Sequence, residues 1–282
     1  MGAVTSHLTS HKTIVITGAS DGIGAAAARA LAADGHEVVV VGRDPGKTAA
    51  VADELGVERH VADYARLDDV RALAAALAEA HPRIDVLANN AGGIRGARQL
   101  TADGHEMTFQ VNHLAPFLLT NLLLDTLLAS SAAVITTSSM ASRNARVDLG
   151  DLDMAVGYAP FRAYGASKLA NILFTRELHH RFHGRGLSSA AFHPGVVATS
   201  FGVTDGPAVT RFYGSWLARA VFASPAQGGS RLVRLAEGTP GVDWASGQYW
   251  VGGRIGRTSP QADDADAAHR LWEASAEMVG LA

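Results

Sequence analysis

Apolar and polar positions follow two alternating patterns in the first third of the chain. Short apolar runs rich in Val and Ile predict strands, and the Ala- and Leu-rich runs between them have the composition and spacing of helices. The predicted strands are Thr13–Thr17, Glu37–Val41, Arg59–Ala62 and Ile84–Ala88, and the helices between them are Ala25–Ala33, Lys47–Leu55 and Asp68–Ala80. This alternation predicts an α/β fold in which a doubly wound parallel sheet of about seven strands carries helices on both faces. Ligands bind such sheets at the carboxyl ends of the strands.

The same patterns continue to the end of the chain, so we expect one domain over residues 1–282. Further strands are predicted at Ala133–Thr137, Ser188–Phe192 and Gly247–Trp250, and helices at Gly104–Ala129, Tyr164–Leu178, Ala226–Glu237 and Asp263–Val279. The polar residues 1–11 are expected to be a flexible N-terminus, and residues 140–160 an insertion loop. The irregular segment 200–222 combines aromatic residues with glycines and is expected to form a lid over the substrate.

Composition narrows the class of protein. The net charge of -3 leaves no basic footprint for nucleic acid, and the absence of cysteine excludes disulfides and thiolate chemistry. No apolar run is long enough to span a bilayer, and residues 1–11 lack the apolar centre of a signal peptide. We therefore expect a cytoplasmic enzyme or binding protein with no membrane partner. No metal site is expected, because the His179 and His183 pair has no accompanying carboxylate motif.

The segment from the first strand to the first helix reads Thr17-Gly18-x-x-x-Gly22-x-Gly24. Glycines at such a turn allow backbone N–H groups to approach a pyrophosphate at the positive end of the helix, although ordinary Gly-rich turns share the pattern. Where an acidic residue would hold the ribose of NAD, the second strand is followed by Arg43, which can pair with the 2′-phosphate of NADP. Alternatively, Arg43 is a solvated charge beside Asp44 as a helix N-cap.

Tyr164 and Lys168 are four positions apart on a predicted helix and therefore project from one face. An unperturbed phenol titrates near pH ~10, and a neighbouring ammonium favours the phenolate, which brings the group closer to a working pH. Such a tyrosine can exchange a proton with a substrate oxygen. The same spacing also occurs on helix faces that only meet solvent, so the surrounding motifs decide its meaning.

Taken together, the motifs resemble the short-chain dehydrogenase/reductase family. Its three signatures stand in order: the glycine turn, then Asn89-Asn90-Ala91-Gly92 after the fourth strand, then Tyr164-x-x-x-Lys168. The closing Ser246-Gly-Gln-Tyr-Trp250 and the long interval before Tyr164 look like the retinol-dehydrogenase-like and protochlorophyllide-reductase-like branch. The resemblance implies a Rossmann fold and NADP(H)-dependent interconversion of a ketone or aldehyde with an alcohol, NAD being the less favoured cofactor. It also implies pairing into a dimer or tetramer.

The resemblance assigns roles residue by residue. Tyr164 is the general acid/base, Lys168 stabilises its phenolate, Ser139 orients the carbonyl, and Asn112 holds a water that connects Lys168 to solvent. Asn112 could instead satisfy backbone groups released at a kink before Pro116, and Asp63, assigned to the adenine, could instead be a turn aspartate. The cofactor contacts implied are Gly18, Ser20, Asp21, Gly22, Ile23, Gly24, Arg43, Asp63, Asn90, Ala91, Gly92, Tyr164, Lys168, Pro194, Gly195, Val197 and Thr199.

Two other functions share part of this pattern. A sugar-nucleotide epimerase shares Tyr-x-x-x-Lys, but its Gly-x-x-Gly-x-x-Gly turn does not match Gly18, Gly22 and Gly24. A catalytically silent NADP-binding sensor is the alternative from another class, and such proteins usually lose a catalytic residue, whereas all four are present here. The Ala-, Arg- and Gly-rich composition is typical of a GC-rich bacterial genome, which is consistent with a reductase that tailors a secondary metabolite.

Overall fold

One eight-stranded sheet organises the protein, in a computed structural model that describes residues 11–195 and 224–281. The strands lie in the order β3-β2-β1-β4-β5-β6-β7-β8, and every neighbouring pair is parallel except β7 and β8. They are β1 (Thr13–Thr17), β2 (Glu37–Gly42), β3 (Glu58–Val61), β4 (Val86–Asn89), β5 (Ala133–Thr137), β6 (Ser188–His193), β7 (Gln248–Val251) and β8 (Arg254–Ile255). The predicted doubly wound parallel sheet is confirmed.

Helices cover both faces of this sheet. The described α-helices are α1 (Gly22–Ala33), α2 (Pro45–Leu55), α3 (Leu67–Ala80), α4 (Met107–Phe109), α5 (Ala115–Leu122), α6 (Leu124–Ala129), α7 (Pro160–Phe182), α8 (Pro225–Glu237) and α9 (Ala265–Met278). Short 3₁₀ helices lie at Met140–Asn144, His183–Arg185 and Pro260–Asp263. The first of them occupies part of the predicted insertion loop. The predicted lid at 200–222 lies outside the described residues.

Successive residues of each central strand enter opposite halves of the core. Val15 packs with residues of α3, α5, α7 and α9, whereas Ile14 and Ile16 pack with residues of α1, α2 and α8. All three side chains are fully buried. A strand buried on both faces reads as a continuous apolar run, which is why β1 and β2 were recognisable from the sequence.

The count of seven strands was one too few. The additional strand, β8, has two residues and forms an antiparallel hairpin with β7, in which Trp250 pairs with Ile255 and Val251 pairs with Arg254. Gly252-Gly253 supplies the two-residue turn between them, at φ values of +58° and +80°. The Gly-Gly pair was the available signal, but a two-residue strand has too little apolar pattern to be recognised.

The segment Gly104–Ala129 was predicted as one continuous helix, but the helical structure there is interrupted. It begins at Met107, where Glu106 accepts hydrogen bonds from the N–H groups of Thr108 and Phe109, and it contains a π-helical turn at Gln110–Leu114. Pro116 then lies in the first turn of α5. A proline there has no N–H to continue the α-helical ladder, so the wider turn before it absorbs the interruption. This π-helical turn carries Asn112 and His113.

The strand order reverses between β1 and β4. Chain that leaves β1 crosses to β2 on one side, whereas β4 lies on the other side, so the carboxyl ends of these two strands border a crevice. The glycine turn after β1 and the Asn89–Gly92 segment after β4 therefore meet. Their meeting defines where a ligand site is expected.

Candidate active site

The glycine turn leaves the backbone at the start of α1 open. A Cβ on Gly18, whose φ is +66°, would lie 2.8 Å from Ala91 Cα, and one on Gly24 would lie 2.4 Å from the Gly18 carbonyl oxygen. Side chains there would block the close packing of α1 against the strand ends. The positive helix end thus remains available to a phosphate, so the turn fits the pyrophosphate of a dinucleotide. The other predicted contacts of this turn are at least partly exposed, namely Ser20, Asp21, Gly22 and Ile23.

Asn90 ties three strand ends together. Its Nδ2 donates to the carbonyl oxygens of Thr17 and Gly18 at 3.0 and 3.3 Å, and its Oδ1 accepts from the Thr137 hydroxyl at 3.3 Å. Thr17 Oγ1 accepts in turn from the N–H groups of Asn90 and Ala91, both at 3.1 Å. The side-chain amide of Asn90 is therefore fully hydrogen-bonded within the protein. Any contact between Asn90 and a cofactor would have to come from its backbone.

The two threonines of this frame, Thr17 and Thr137, were not among the predicted site residues. Each is the last residue of its strand, β1 or β5, and each is buried. A polar, hydrogen-bonding residue that ends an otherwise apolar run at the carboxyl edge of the sheet was the signal available in the sequence.

Arg43 and Asp63 lie at the ends of neighbouring strands. Arg43 is exposed directly after β2, and Asp44 caps α2 by accepting from the Lys47 N–H at 2.9 Å. Asp63 Oδ1 accepts from the Ala65 N–H at 3.0 Å, so it is a turn aspartate as the alternative interpretation had it. Both side chains lie at the carboxyl edge of the sheet, where the predicted adenosine contacts require them.

Asn112 braces the segment after β4 against α7. The side chain is completely buried, with Oδ1 accepting from the Gly93 N–H at 2.7 Å and Nδ2 donating to the Gly93 carbonyl and to Ser167 Oγ, both at 2.9 Å. It therefore does not satisfy the groups released before Pro116, and that alternative was wrong. A Cβ on Gly92 would lie 2.7 Å from Asn112 Oδ1, so the close approach requires glycine.

Lys168 is a completely buried ammonium beside Tyr164. Its Nζ donates to the Thr137 carbonyl at 3.1 Å and lies 5.7 Å from the centroid of the Tyr164 ring. Burial lowers the pKa of Lys168 from 10.5 to about 7, because the charged form loses its hydration. Tyr164 itself is half-buried. A phenol that reaches solvent is thus paired with a cation that does not.

Ser139 is held next to the helix that carries Tyr164. It caps the 3₁₀ helix Met140–Asn144, with Oγ accepting from the Ala141 N–H at 3.2 Å. This helix packs on α7 at Gly165, where a Cβ would lie 3.0 Å from the Ala141 carbonyl oxygen. The preceding Ser138 donates instead to the Lys168 carbonyl at 2.7 Å and is buried. Of the two serines, Ser139 is therefore the one that faces outward.

Pro194 and Gly195 follow β6, and Gly195 has a φ of +97°. The remaining predicted contacts of this turn, Val197 and Thr199, lie outside the described residues. His193, the last residue of β6, is buried, and its pKa is lowered to about 4 by burial and by the nearby Arg231 and Arg143.

His179 and His183, the two histidines at metal-ligand spacing, lie together at the end of α7. Within residues 11–195 and 224–281, no three His, Asp or Glu side chains are grouped so as to hold an ion. His179 and His183 stack at 4.4 Å between ring centroids, and His179 Nδ1 lies 2.9 Å from Ser246 Oγ.

Within residues 11–195 and 224–281, every helix is too short or too polar to cross a bilayer.

Known proteins resemble this chain over nearly its whole length. Residues 12–208 match the family model of the short chain dehydrogenases. Human retinol dehydrogenase 13 is 39% identical over 96% of this chain and 85% of that protein. A proposed daunorubicin C-13 ketoreductase, DnrU, of Streptomyces sp. (strain C5) is 40% identical over 95% of this chain and 93% of its own.

Solved structures agree with this relationship. An uncharacterised protein from Mycobacterium paratuberculosis superposes with a TM-score of 0.75 at 34% identity, over 95% of this chain and 93% of that one. A short chain dehydrogenase from Burkholderia cenocepacia J2315, solved in complex with NADP, gives a TM-score of 0.66 at 26% identity, over 86% and 95%. The strand order, the motif geometry and these matches lead to one conclusion: the chain belongs to the short-chain dehydrogenase/reductase family, in its retinol-dehydrogenase-like branch.

Proposed function

We propose that this protein is an NADP(H)-dependent oxidoreductase that reduces a ketone or aldehyde to an alcohol, or catalyses the reverse reaction. The observation that carries the proposal is the pairing of the buried Lys168 ammonium with the half-buried Tyr164 phenol. A cation held in a dry environment acts strongly on its neighbour, because little water screens it. The pair therefore supplies a phenol whose proton is available near neutral pH.

Each catalytic side chain has one task in the reducing direction. Ser139 donates its hydroxyl hydrogen to the substrate oxygen, which orients the carbonyl. Tyr164 transfers its phenolic proton to the same oxygen as negative charge develops there, and protonated Lys168 stabilises the phenolate that remains. Donors already in place for the developing charge lower the barrier because they need no reorganisation. Asn112, which binds Gly93 and Ser167, would anchor the segment along which solvent returns a proton to Tyr164.

The residues at the strand ends fit a nicotinamide dinucleotide. When bound, NADP(H) supplies or accepts the hydride that the substrate carbon exchanges. The glycine turn would hold the pyrophosphate, the Asn90–Gly92 backbone would line the ribose side, and Arg43 would pair with the 2′-phosphate. The NADP complex of the Burkholderia relative supports this choice of cofactor.

Relatives suggest the substrate class. One relative is named a retinol dehydrogenase and another a proposed daunorubicin C-13 ketoreductase, so the names describe the oxidation of an alcohol and the reduction of a ketone. We extend the proposal to a secondary-metabolite tailoring reductase.

A cytoplasmic location and a homo-oligomeric assembly, both expected from the sequence, belong to the same proposal.

The decisive experiment compares wild-type protein with Tyr164→Phe. Oxidation of NADPH and NADH is followed by absorbance against a panel of ketones, aldehydes and quinones of increasing size. We expect turnover with NADPH that falls about 10²–10⁴-fold in the variant, because general acid catalysis is lost. NADPH binding, measured by fluorescence, should persist in Tyr164→Phe and shows that the variant is folded. Wild-type protein that binds NADPH and reduces nothing would instead favour the sensor function.

A further inference from the structure

A completely buried histidine lies close to the catalytic helix without being part of the proposed mechanism. His113 belongs to the π-helical turn and is enclosed by aromatic rings, with centroids 5.1 Å from Phe109 and 6.1 Å from both Phe117 and Phe174. A polar side chain in such an apolar setting costs free energy unless its nitrogens are hydrogen-bonded. Its hydrogen-bond partners therefore show what holds it there.

Those partners form a chain that ends at the catalytic lysine. His113 Nε2 lies 2.9 Å from Ser275 Oγ on α9, and Nδ1 lies 3.3 Å from Asn171 Oδ1 on α7. Asn171 Nδ2 donates to the Thr137 carbonyl at 3.2 Å. Lys168 Nζ donates to that same carbonyl at 3.1 Å. All five residues are at least nine-tenths buried.

The directions of the hydrogen bonds between His113 and Thr137 follow from the Thr137 end of the chain. The Thr137 carbonyl can only accept, so the Asn171 amide nitrogen faces it and Oδ1 faces His113. Burial lowers the pKa of His113 to about 4, so the ring is neutral and carries one hydrogen, which must be on Nδ1. The Ser275 hydroxyl, whose Oγ lies 2.9 Å from Nε2, donates its only hydrogen to the Leu271 carbonyl at 2.7 Å. From His113 onward, each group of the chain thus donates toward Thr137.

We propose that His113 and Asn171 are positioning residues that hold the Thr137 carbonyl, and through it the Lys168 ammonium, at the distance from Tyr164 that catalysis requires. A peptide carbonyl has two lone pairs, and here one is taken by Asn171 and the other by Lys168. Asn171 and Lys168 are three positions apart on α7, so both reach the carbonyl from one helix face. The inference rests on the proposed function, because it takes Lys168 as the partner of Tyr164.

This arrangement explains why the histidine is tolerated. Without Asn171 the second lone pair of Thr137 would be buried and unsatisfied, and Lys168 could follow the carbonyl as it turned. Without His113 the Asn171 amide could rotate and present its oxygen to the carbonyl. Each step of the chain removes an alternative orientation of the next group.

Tyr164 has ionisable neighbours on α7 and β7. On α7 it faces Lys168, and on β7 it faces Tyr249, whose pKa is raised by burial and in part by Tyr164. Arg143 of the 3₁₀ helix lies close enough to Tyr249 to lower the pKa of that phenol. Substitutions at His113 and Asn171 leave all three residues in place, so a change in the titration of Tyr164 reports on the position of Lys168.

The test compares Asn171→Leu and His113→Phe with Thr175→Val. Thr175 is buried one turn further along α7, where its hydroxyl donates to the backbone carbonyl of Asn171 at 2.8 Å. The control therefore removes one buried hydrogen bond without altering any side chain of the hydrogen-bonded chain. We expect kcat to fall about 10–100-fold in Asn171→Leu, with KM values within about threefold of wild type, because the acid–base pair is misplaced. Thr175→Val should keep kcat within about threefold.

A second readout does not need turnover. The phenolate absorbance of Tyr164 is titrated in each protein, with the corresponding Tyr164→Phe double variant subtracted. The phenolate favours the protonated form of Lys168, so moving Lys168 away raises the pKa of the Tyr164 phenol. The titration in Asn171→Leu should therefore move upward by about one pKa unit. His113→Phe should move it in the same direction, and His113→Gln, which can still donate to Asn171, should restore most of the wild-type value.

The two readouts separate the inference from the proposed function. If wild-type protein reduces no carbonyl, the proposed function fails, while the phenol titration still measures the positioning. If Asn171→Leu loses thermal stability but its phenol titrates as in wild type, then Asn171 is only structural and the inference is wrong. Equal titrations in His113→Phe and wild type would remove His113 from the chain in the same way.

Discussion

Among single residues, Lys168 combines complete burial with a group that is normally charged. The Thr137 carbonyl partly replaces its lost hydration, but no carboxylate contributes to its pKa, which burial alone lowers. A group held in this way costs stability whenever it carries its proton. The proposed acid–base mechanism needs a cation beside the Tyr164 phenol at this position.

The cost of Lys168 should be visible in the pH dependence of stability. Its pKa is about 7 in the folded protein and 10.5 in the unfolded chain, so between these values the unfolded chain binds a proton that the folded protein has lost. The contribution of Lys168 to the free energy of unfolding therefore rises with pH from about 7 to about 10.5. Lys168→Met should be more stable than wild type at about pH 7, and the difference should shrink by more than about 1.4 kcal/mol, the equivalent of one pKa unit, by about pH 10.

Urea unfolding of the cofactor-free proteins at both pH values measures this difference. The exposed Lys47 provides a matched control. Lys47→Met should change stability by a similar amount at the two pH values, because no burial opposes its charge. A stability difference for Lys168→Met that is independent of pH would contradict the assignment of a lowered pKa to Lys168.

Arg43 is the residue that we propose selects NADP over NAD. If it pairs with the 2′-phosphate, Arg43→Ala should raise KM for NADPH about 10–100-fold, the loss of one or two charge-assisted hydrogen bonds, and should leave KM for NADH within about threefold. Steady-state kinetics with both cofactors give the answer. Arg185→Ala removes an equally exposed charge after α7, beside the start of β6, and should change neither KM. Equal losses for both cofactors in Arg43→Ala would argue against the phosphate pairing.

Among the elements, the 3₁₀ helix Met140–Asn144 and α7 are placed by their contact at Gly165. The contact brings Ser139 and Tyr164 to one side of the cleft, although the two residues belong to different elements. A Cβ on Gly165 would meet the Ala141 carbonyl at 3.0 Å and the Ala145 Cβ at 3.2 Å. Because the first of these is a backbone atom, the 3₁₀ helix would have to move as a unit.

Gly165→Ala should therefore lower the activity of the protein while leaving its stability nearly unchanged. We expect kcat/KM to fall about tenfold or more, since a displacement of Ser139 of a fraction of an ångström misplaces a reacting group. Thermal stability should change little, because alanine also improves helix propensity by up to ~1 kcal/mol. Gly184→Ala is the matched control, since nothing lies within 4 Å of a Cβ there. An unchanged kcat/KM in Gly165→Ala would show that the Ser139 position tolerates this shift.

Across the whole molecule, the site is assembled from segments far apart in sequence. The ends of β1, β4 and β5 meet through Thr17, Asn90 and Thr137, and α7 lies across them with Lys168. The C-terminal helix α9 completes the layer, with Trp272 packed 5.0 and 5.8 Å from Phe117 and Phe174. The aromatic cluster between α5, α7 and α9 thus encloses the polar chain that reaches the active site.

Much of this architecture was predictable because it depends on local pattern. Strands buried on both faces are continuous apolar runs, and helices between them predict a parallel sheet, so the class of fold followed directly. The elements that the sequence did not predict are a very short strand and an interruption within a helix. The two-residue β8 carries too little pattern to be seen, and the π-helical turn before Pro116 cannot be told from a regular helix by the spacing of apolar residues.

The sequence by itself determined the kinds of chemistry available, since glycines at the β1–α1 turn, Arg43, Ser139, Tyr164 and Lys168 are chemical identities at known spacings. Only the tertiary structure decided that Lys168 is completely buried, that Asn90 is consumed within the protein, and that Asn171 and Lys168 share one carbonyl. The reason is physical. Burial and the sharing of hydrogen-bond partners depend on which distant segments the fold places around a side chain, and no local spacing records them.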